Sequence, residues 1–159
     1  MITAYISIGS NIEREHYLPA GIAAVTQLAT SWRMSRVFEA EPVGFDGDNF
    51  FNSVVEITTS LPLTVLQQSL KDIERQLGRP EAATKNQSRT IDLDILLYGN
   101  VISEYSPTLP RSDLYKFAFV LWPMSELCPE LVIPGQQHTI AELWQNFSPQ
   151  QQLWPVELS

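Results

Sequence analysis

The 159-residue sequence predicts an α+β fold with a ferredoxin-like core and a largely antiparallel sheet. Three observations carry that expectation. Strand-like and helix-like segments follow one another as strand, helix, strand, strand, helix, strand. No internal repeat or low-complexity linker divides the chain, so residues 1–159 are expected to form one domain around a single sizeable core. No G-x-x-x-x-G-K-[ST] or G-x-G-x-x-G run marks an open parallel sheet with a phosphate-cradling loop.

Each element has its own signal. Residues 2–9, ITAYISIG, read as a strand, and GSN at 9–11 as a turn. Leu18, Ile22, Val25 and Leu28 recur at helical spacing, with Pro19 and Gly21 placing the helix start near them. Residues 32–39 and 50–59 read as strands joined by EPVGFDGDN, a long loop by its Pro, Gly, Asp and Asn content. Pro62 opens a second helix with the apolar stripe Leu66, Leu70, Ile73 and Leu77, and Gly78 ends it. Residues 79–90 lack a hydrophobic period and are expected to form a mobile loop. A strand follows in SRTIDLDILLY, then a YGN turn. FAFVLWPMSEL and TIAELWQNF read as helices and LWPVEL as a terminal strand.

Composition narrows the function classes. With 18 acidic and 10 basic residues the net charge is -8, which argues against a general nucleic-acid surface. No apolar run is long enough to span a membrane and no leader pattern opens the chain, so a cytoplasmic protein is expected. Cys128, the only cysteine, excludes an internal disulfide and a multi-cysteine zinc site, and reads as a buried inert thiol. Half of the basic residues, Lys71, Arg75, Arg79, Lys85 and Arg89, precede one short acidic stretch. Lys71 and Arg75 alone read as ordinary helix-surface charges.

That acidic stretch is Asp92 and Asp94 in the strand after the loop. Alternation sends Ile91, Leu93, Ile95 and Leu97 to one face and Asp92, Asp94 and Leu96 to the other. A solvated strand face would explain two aspartates. A second explanation is a hard divalent cation: Mg²⁺ commonly takes one or two carboxylates and leaves its other positions to water and phosphate. Arg79, Lys85 and Arg89 would then neutralise the phosphates, a phosphotransfer site built from side chains. A paired-carboxylate hydrolase leaves those cations unexplained.

The run RTIDLDILLYGN, with AYISIGSN, EPVGF, FFNSVVEI, IERQLGR and FAFVLWPMSEL, resembles 6-hydroxymethyl-7,8-dihydropterin pyrophosphokinase of folate biosynthesis, from Ile2 to about Trp144. The resemblance implies a ferredoxin-like fold and transfer of pyrophosphate from MgATP to the hydroxymethyl group of a reduced pterin, with release of AMP. It implies two Mg²⁺ ions on Asp92 and Asp94, and charge stabilisation by Arg79 and Arg89. On the ATP side it adds Glu74 near the adenosine, Lys85 in the loop and Thr108 as a hydroxyl. On the pterin side it implies Asn52 for the polar edge of the heterocycle, Phe50 and Phe119 as aromatic walls, and Val43 in the adjoining loop.

The chain departs from the family pattern at Glu81, Asn86, Gln87, Ser88, Arg111 and Phe117, where other members carry an arginine, an aromatic residue, Gly-Pro, a histidine and an arginine. These positions leave open a pterin- or nucleotide-binding relative with weakened catalysis, and a ferredoxin-like interaction module without a small-molecule site. His16 and His138 have no metal-ligand spacing. Trp122, Trp144 and Trp154 read as core or rim anchors.

Overall fold

A computed structural model describes residues 1–78, 89–148 and 151–158. Its elements are β1 (Ile2–Ser10), α1 (Arg14–Thr26), β2 (Ser31–Met34), β3 (Val37–Ala40), β4 (Phe50–Thr59), α2 (Leu63–Gln76), β5 (Asp92–Tyr98), α3 (Asp113–Lys116), α4 (Ala118–Leu127), α5 (Ile140–Gln145) and β6 (Leu153–Val156). The six-stranded sheet runs β5-β1-β4-β3-β6, with β2 also on β4, and each of these pairs is antiparallel. This is the α+β fold expected from the order of elements.

Both faces of the sheet are covered. Ala4, Ile6 and Ile8 of β1 pack with Leu18 and Val25 of α1 and with Leu66, Leu70 and Ile73 of α2. Tyr5 points the other way, into a second core with Leu114, Val120, Leu121, Met124 and Ile140. Period-two alternation along a strand therefore feeds both cores. Where helices do not cover the second face, polar residues of the strands line an open cleft.

Several local expectations change. Helix α1 starts at Arg14, not near Pro19, which lies inside it. Pro19 lacks the N–H that would bond the Glu15 carbonyl, and both residues are exposed, so the helix tolerates the proline on its solvent side. Gly9 and Ser10 belong to β1, so the turn starts later than GSN suggests. The expected strand 32–39 is split at Ser35 and Arg36. Met34 faces Val55 and Phe38 faces Asn52, which inserts one extra residue opposite β4, a bulge. Ser35 Oγ accepts from the Val54 N–H at 3.0 Å and holds that bulge.

A second bulge lies in β5. Tyr5 pairs with Leu97 but Ile6 with Ile95, so Leu96 is the extra residue. Leu96 and Leu97 both enter the second core and Tyr98 returns to the first. The expectation that Leu97 joins Ile91, Leu93 and Ile95 fails for that reason. Asp92 and Asp94, ahead of the bulge, keep the predicted face.

The remaining singled-out residues fit structural roles. Trp122 lies 4.7 Å from Phe38 and 5.5 Å from Trp144, ring centre to ring centre, and Trp154 sits on β6 opposite Glu39. Burial pushes the Cys128 thiol up to about 12, the behaviour of an inert sulfhydryl. His138 pairs with Glu142 at 3.5 Å at the start of α5. Among the described residues no helix is long and apolar enough to cross a membrane.

Candidate active site

A cleft of about 470 Å³ opens on the sheet face that α3 and α4 leave uncovered. Its floor comes from β1, β4 and β5. Gly9 pairs with Asp92 on one side and with Asn52 on the other, so these three residues lie in line across neighbouring strands. Ser7 pairs with Asp94 in the next row of the same face. A Cβ on Gly9 would stand 2.8 Å from Asn52 Oδ1, so only glycine leaves the floor open between the carboxylate and the amide.

Two arginines flank the carboxylates. Arg89 Nη1 lies 2.8 Å from Asp92 Oδ1, and Arg111 Nη2 lies 3.6 Å from Asp94 Oδ1. Arg111 also pairs with Asp113 at 3.0 Å. Burial and the neighbouring Asp92 charge push the Asp94 carboxyl well above the ordinary carboxylate range, with Arg111 opposing them. Two oxygen-bearing groups that repel on one strand face suit a hard divalent cation, which relieves the repulsion and prefers carboxylate oxygen. The donor set thus fits Mg²⁺ by its chemistry.

The positioning of Arg89 comes from Asn11, a residue the sequence analysis reads only as part of a turn. Asn11 is 3% exposed. Its Oδ1 accepts from the Arg89 N–H at 2.8 Å, its own N–H donates to the Arg89 carbonyl at 3.1 Å, and its Nδ2 donates to the Asp48 carbonyl at 3.0 Å. One buried amide therefore joins the segment just ahead of β5 to the loop before β4.

That loop carries Val43 and Phe45 into the cleft. Arg14 anchors it: Nη1 donates to the Asn49 carbonyl at 2.9 Å and pairs with Glu39 at 3.3 Å, while the guanidinium covers the Phe51 ring at 4.0 Å. Phe50 lines the cleft and Phe51 packs in the core, as their opposite strand faces require. Phe45 meets Phe50 edge to face at 6.2 Å. Across the cleft, Phe119 is stacked with Phe117 at 5.0 Å. Asn52 is 4% exposed, and among the described residues its side-chain amide makes no hydrogen bond to protein.

Helix α2 forms one wall. Gln67, Leu70, Lys71 and Glu74, at helical spacing, face the cleft. Lys71 is exposed, as a helix-surface charge should be, but also borders the cleft, whereas Arg75 is exposed beside Asp72 at 3.5 Å. Glu74 Oε2 accepts from the Leu93 N–H at 2.8 Å, which also satisfies a donor of β5 at the sheet edge. The opposite wall contains Pro107, Arg111, Ser112, Asp113, Lys116 and Phe117.

Of the candidates from sequence, Val43, Phe50, Asn52, Glu74, Arg89, Asp92, Asp94 and Phe119 line this one cleft. Thr108 does not; it is exposed next to Pro107, which does. Arg79 and Lys85 lie outside the described residues, as does most of the expected loop 79–90. Sequence reasoning missed Asn11, Phe45 and Lys71 as parts of the site, and treated Arg111 and Phe117 only as departures. The row Gln67, Lys71, Glu74 was a usable signal.

A family model described as 7,8-dihydro-6-hydroxymethylpterin-pyrophosphokinase matches residues 5–129. The chain is 37% identical over 153 residues to the 2-amino-4-hydroxy-6-hydroxymethyldihydropteridine pyrophosphokinase of Haemophilus influenzae, covering 93% of this chain and 94% of that protein. It is 39% identical over 133 residues to the enzyme of the same name from Bacillus subtilis, covering 80% and 79%. Among solved structures, the wild-type HPPK-DHPS of Plasmodium falciparum with pteroate superposes with a TM-score of 0.71 at 12% identity, over 92% of this chain and 42% of that one. The fold is shared with that longer protein, and the family model's match over residues 5–129 contains the segments that build the cleft. The chain belongs to the 7,8-dihydro-6-hydroxymethylpterin pyrophosphokinase family.

Proposed function

We infer that the protein transfers pyrophosphate from ATP to 6-hydroxymethyl-7,8-dihydropterin in folate biosynthesis, and that residues 1–159 act as one catalytic unit. The hydroxymethyl oxygen bonds to the β-phosphorus of ATP, the bond from that phosphorus to the bridging α-β oxygen breaks, and AMP leaves. The hydroxyl proton passes to solvent or to a cleft carboxylate. The observation that carries this reading is the line Asp92, Gly9, Asn52, in which a carboxylate and a buried amide flank one glycine on the floor of the same cleft.

On the pterin side, the Asn52 amide supplies a donor and an acceptor to the heterocycle, and Phe50 and Phe119 supply aromatic faces, with Val43 closing the loop side. On the ATP side, Arg89 meets developing phosphate charge from a root fixed by Asn11, and Glu74 and Lys71 face the nucleotide from α2. Arg79, Lys85 and Thr108 remain proposed ATP contacts on the resemblance alone. Asp92 and Asp94 would hold Mg²⁺, two ions in our proposal. Held there, the cation would supply positive charge to offset that of the ATP phosphates. With ATP as co-substrate and a soluble reduced pterin as acceptor, we assign the reaction to the cytoplasm.

Arg111 and Phe117 in the cleft favour one rival, a relative that binds both ligands and turns them over poorly. Purified protein incubated with ATP, Mg²⁺ and 6-hydroxymethyl-7,8-dihydropterin should form AMP and pterin pyrophosphate in equal amounts. Binding of both ligands without AMP would favour the rival.

A further inference from the structure

Arg111 is tied to carboxylates rather than held out in solvent. Its Nη2 lies 3.6 Å from Asp94 Oδ1 and its Nε 3.0 Å from Asp113 Oδ2, with 28% of the side chain exposed. Its backbone is fixed: the Arg111 N–H donates to the Leu96 carbonyl at 3.0 Å, along the outer edge of β5, and its carbonyl accepts from the Leu114 N–H at 3.2 Å. The guanidinium is held less firmly. Its Nε is buried, yet the approach to Asp113 leaves that hydrogen without a well-directed acceptor. Charge, more than directed hydrogen bonding, keeps it beside Asp94.

The two aspartates are therefore not equivalent. Asp92 has a close arginine at 2.8 Å, whereas the contact of Asp94 with Arg111 is longer. A divalent cation on the pair would share the Asp94 carboxylate with Arg111, whose Nη2 already faces Oδ1. Two positive groups at one carboxylate repel, and in a partly buried site that repulsion is not fully screened.

We propose that Arg111 is a resident counter-cation of Asp94 that competes with the divalent cation and so sets the affinity of the carboxylate pair for it. This is a positioning role, and it rests on the reading of Asp92 and Asp94 as the cation's ligands. A simple fold strut makes the opposite prediction: losing a strut loosens the site and weakens cation binding, whereas losing a competitor strengthens it.

The test uses Mn²⁺ alone, without nucleotide, followed by the electron paramagnetic resonance of the free ion, on protein shown folded by thermal melting. Arg111→Ala should bind Mn²⁺ about tenfold more tightly than the parent, the scale expected for removing one nearby, partly screened charge. Arg111→Lys, which keeps the charge, should restore weaker binding toward that of the parent. In an Asp94→Asn background the gain from Arg111→Ala should vanish, because the two side chains no longer oppose one another through the cation. Unchanged or weaker Mn²⁺ binding by Arg111→Ala overturns the proposal. If the parent binds Mn²⁺ and Asp94→Asn abolishes that binding, such a result removes only the role of Arg111. If Asp94→Asn leaves Mn²⁺ binding intact, the assignment of the carboxylate pair falls with it.

Discussion

Gly9 and Asn52 face each other across β1 and β4, and a Cβ on Gly9 would stand 2.8 Å from Asn52 Oδ1. Because Asp92 is the other cross-strand partner of Gly9, the missing side chain keeps the floor open between the two halves of the cleft. Gly9→Ala should force the Asn52 amide to turn. We expect pterin affinity to fall about tenfold or more, the cost of misdirecting one buried polar contact, with ATP affinity nearly unchanged. Isothermal titration of each ligand separately checks this. Equal losses for both ligands would point to a general collapse of the sheet.

Asn11 offers a prediction about position rather than contact. Its side chain ties the Arg89 backbone to the Asp48 carbonyl. Asn11→Ala leaves those groups without their partner and should destabilise the fold by about 1–3 kcal/mol. It should also lower kcat by about tenfold to a hundredfold, because Arg89 loses its fixed root. Urea unfolding and steady-state kinetics measure the two effects. A stability loss with kcat unchanged would show that Arg89 is placed by other contacts.

The raised Asp94 carboxyl makes a signed prediction about pH. Its folded value stands above the ordinary 3.8, through burial first and Asp92 second. The stability linked to this group is therefore full below the unfolded value and is lost as pH rises through the folded one. Asp94→Asn removes that cost. With EDTA present, the variant should melt at a higher temperature than the parent at alkaline pH. The difference should shrink as pH falls toward the ordinary carboxylate range. Saturating Mg²⁺ should raise the melting temperature of the parent alone, by mass action. A variant less stable than the parent in EDTA at alkaline pH would contradict the argument.

The face carrying Asp92 and Asp94 was legible because alternation is a property of the extended backbone itself. The bulge at Leu96 was not, since three apolar residues in a row satisfy either face when both are covered by helices. Pro19 misled for a related reason: its cost depends on whether the carbonyl it orphans meets solvent, which only the packing decides. Phe50 and Phe51 were separable by strand direction, with the choice of ligand side coming from the resemblance. Asn11 escaped notice because an asparagine after glycine and serine reads as a turn residue, and its long-range partners Asp48 and Arg89 leave no periodic trace. Lys71 was read by its sign when its helical row with Gln67 and Glu74 was the better guide.

The central claim is that the carboxylate pair on β5 serves phosphoryl transfer and not pterin recognition. Its most direct test is the rate of AMP formation by Asp94→Ala against the parent, at saturating Mg²⁺, ATP and 6-hydroxymethyl-7,8-dihydropterin, with pterin affinity measured in parallel. The account predicts a fall of about 10²–10³ in rate, the scale of losing a preorganised electrostatic contact, and pterin binding within about threefold of the parent. A rate within about twofold of the parent, or a loss confined to pterin affinity, would contradict it.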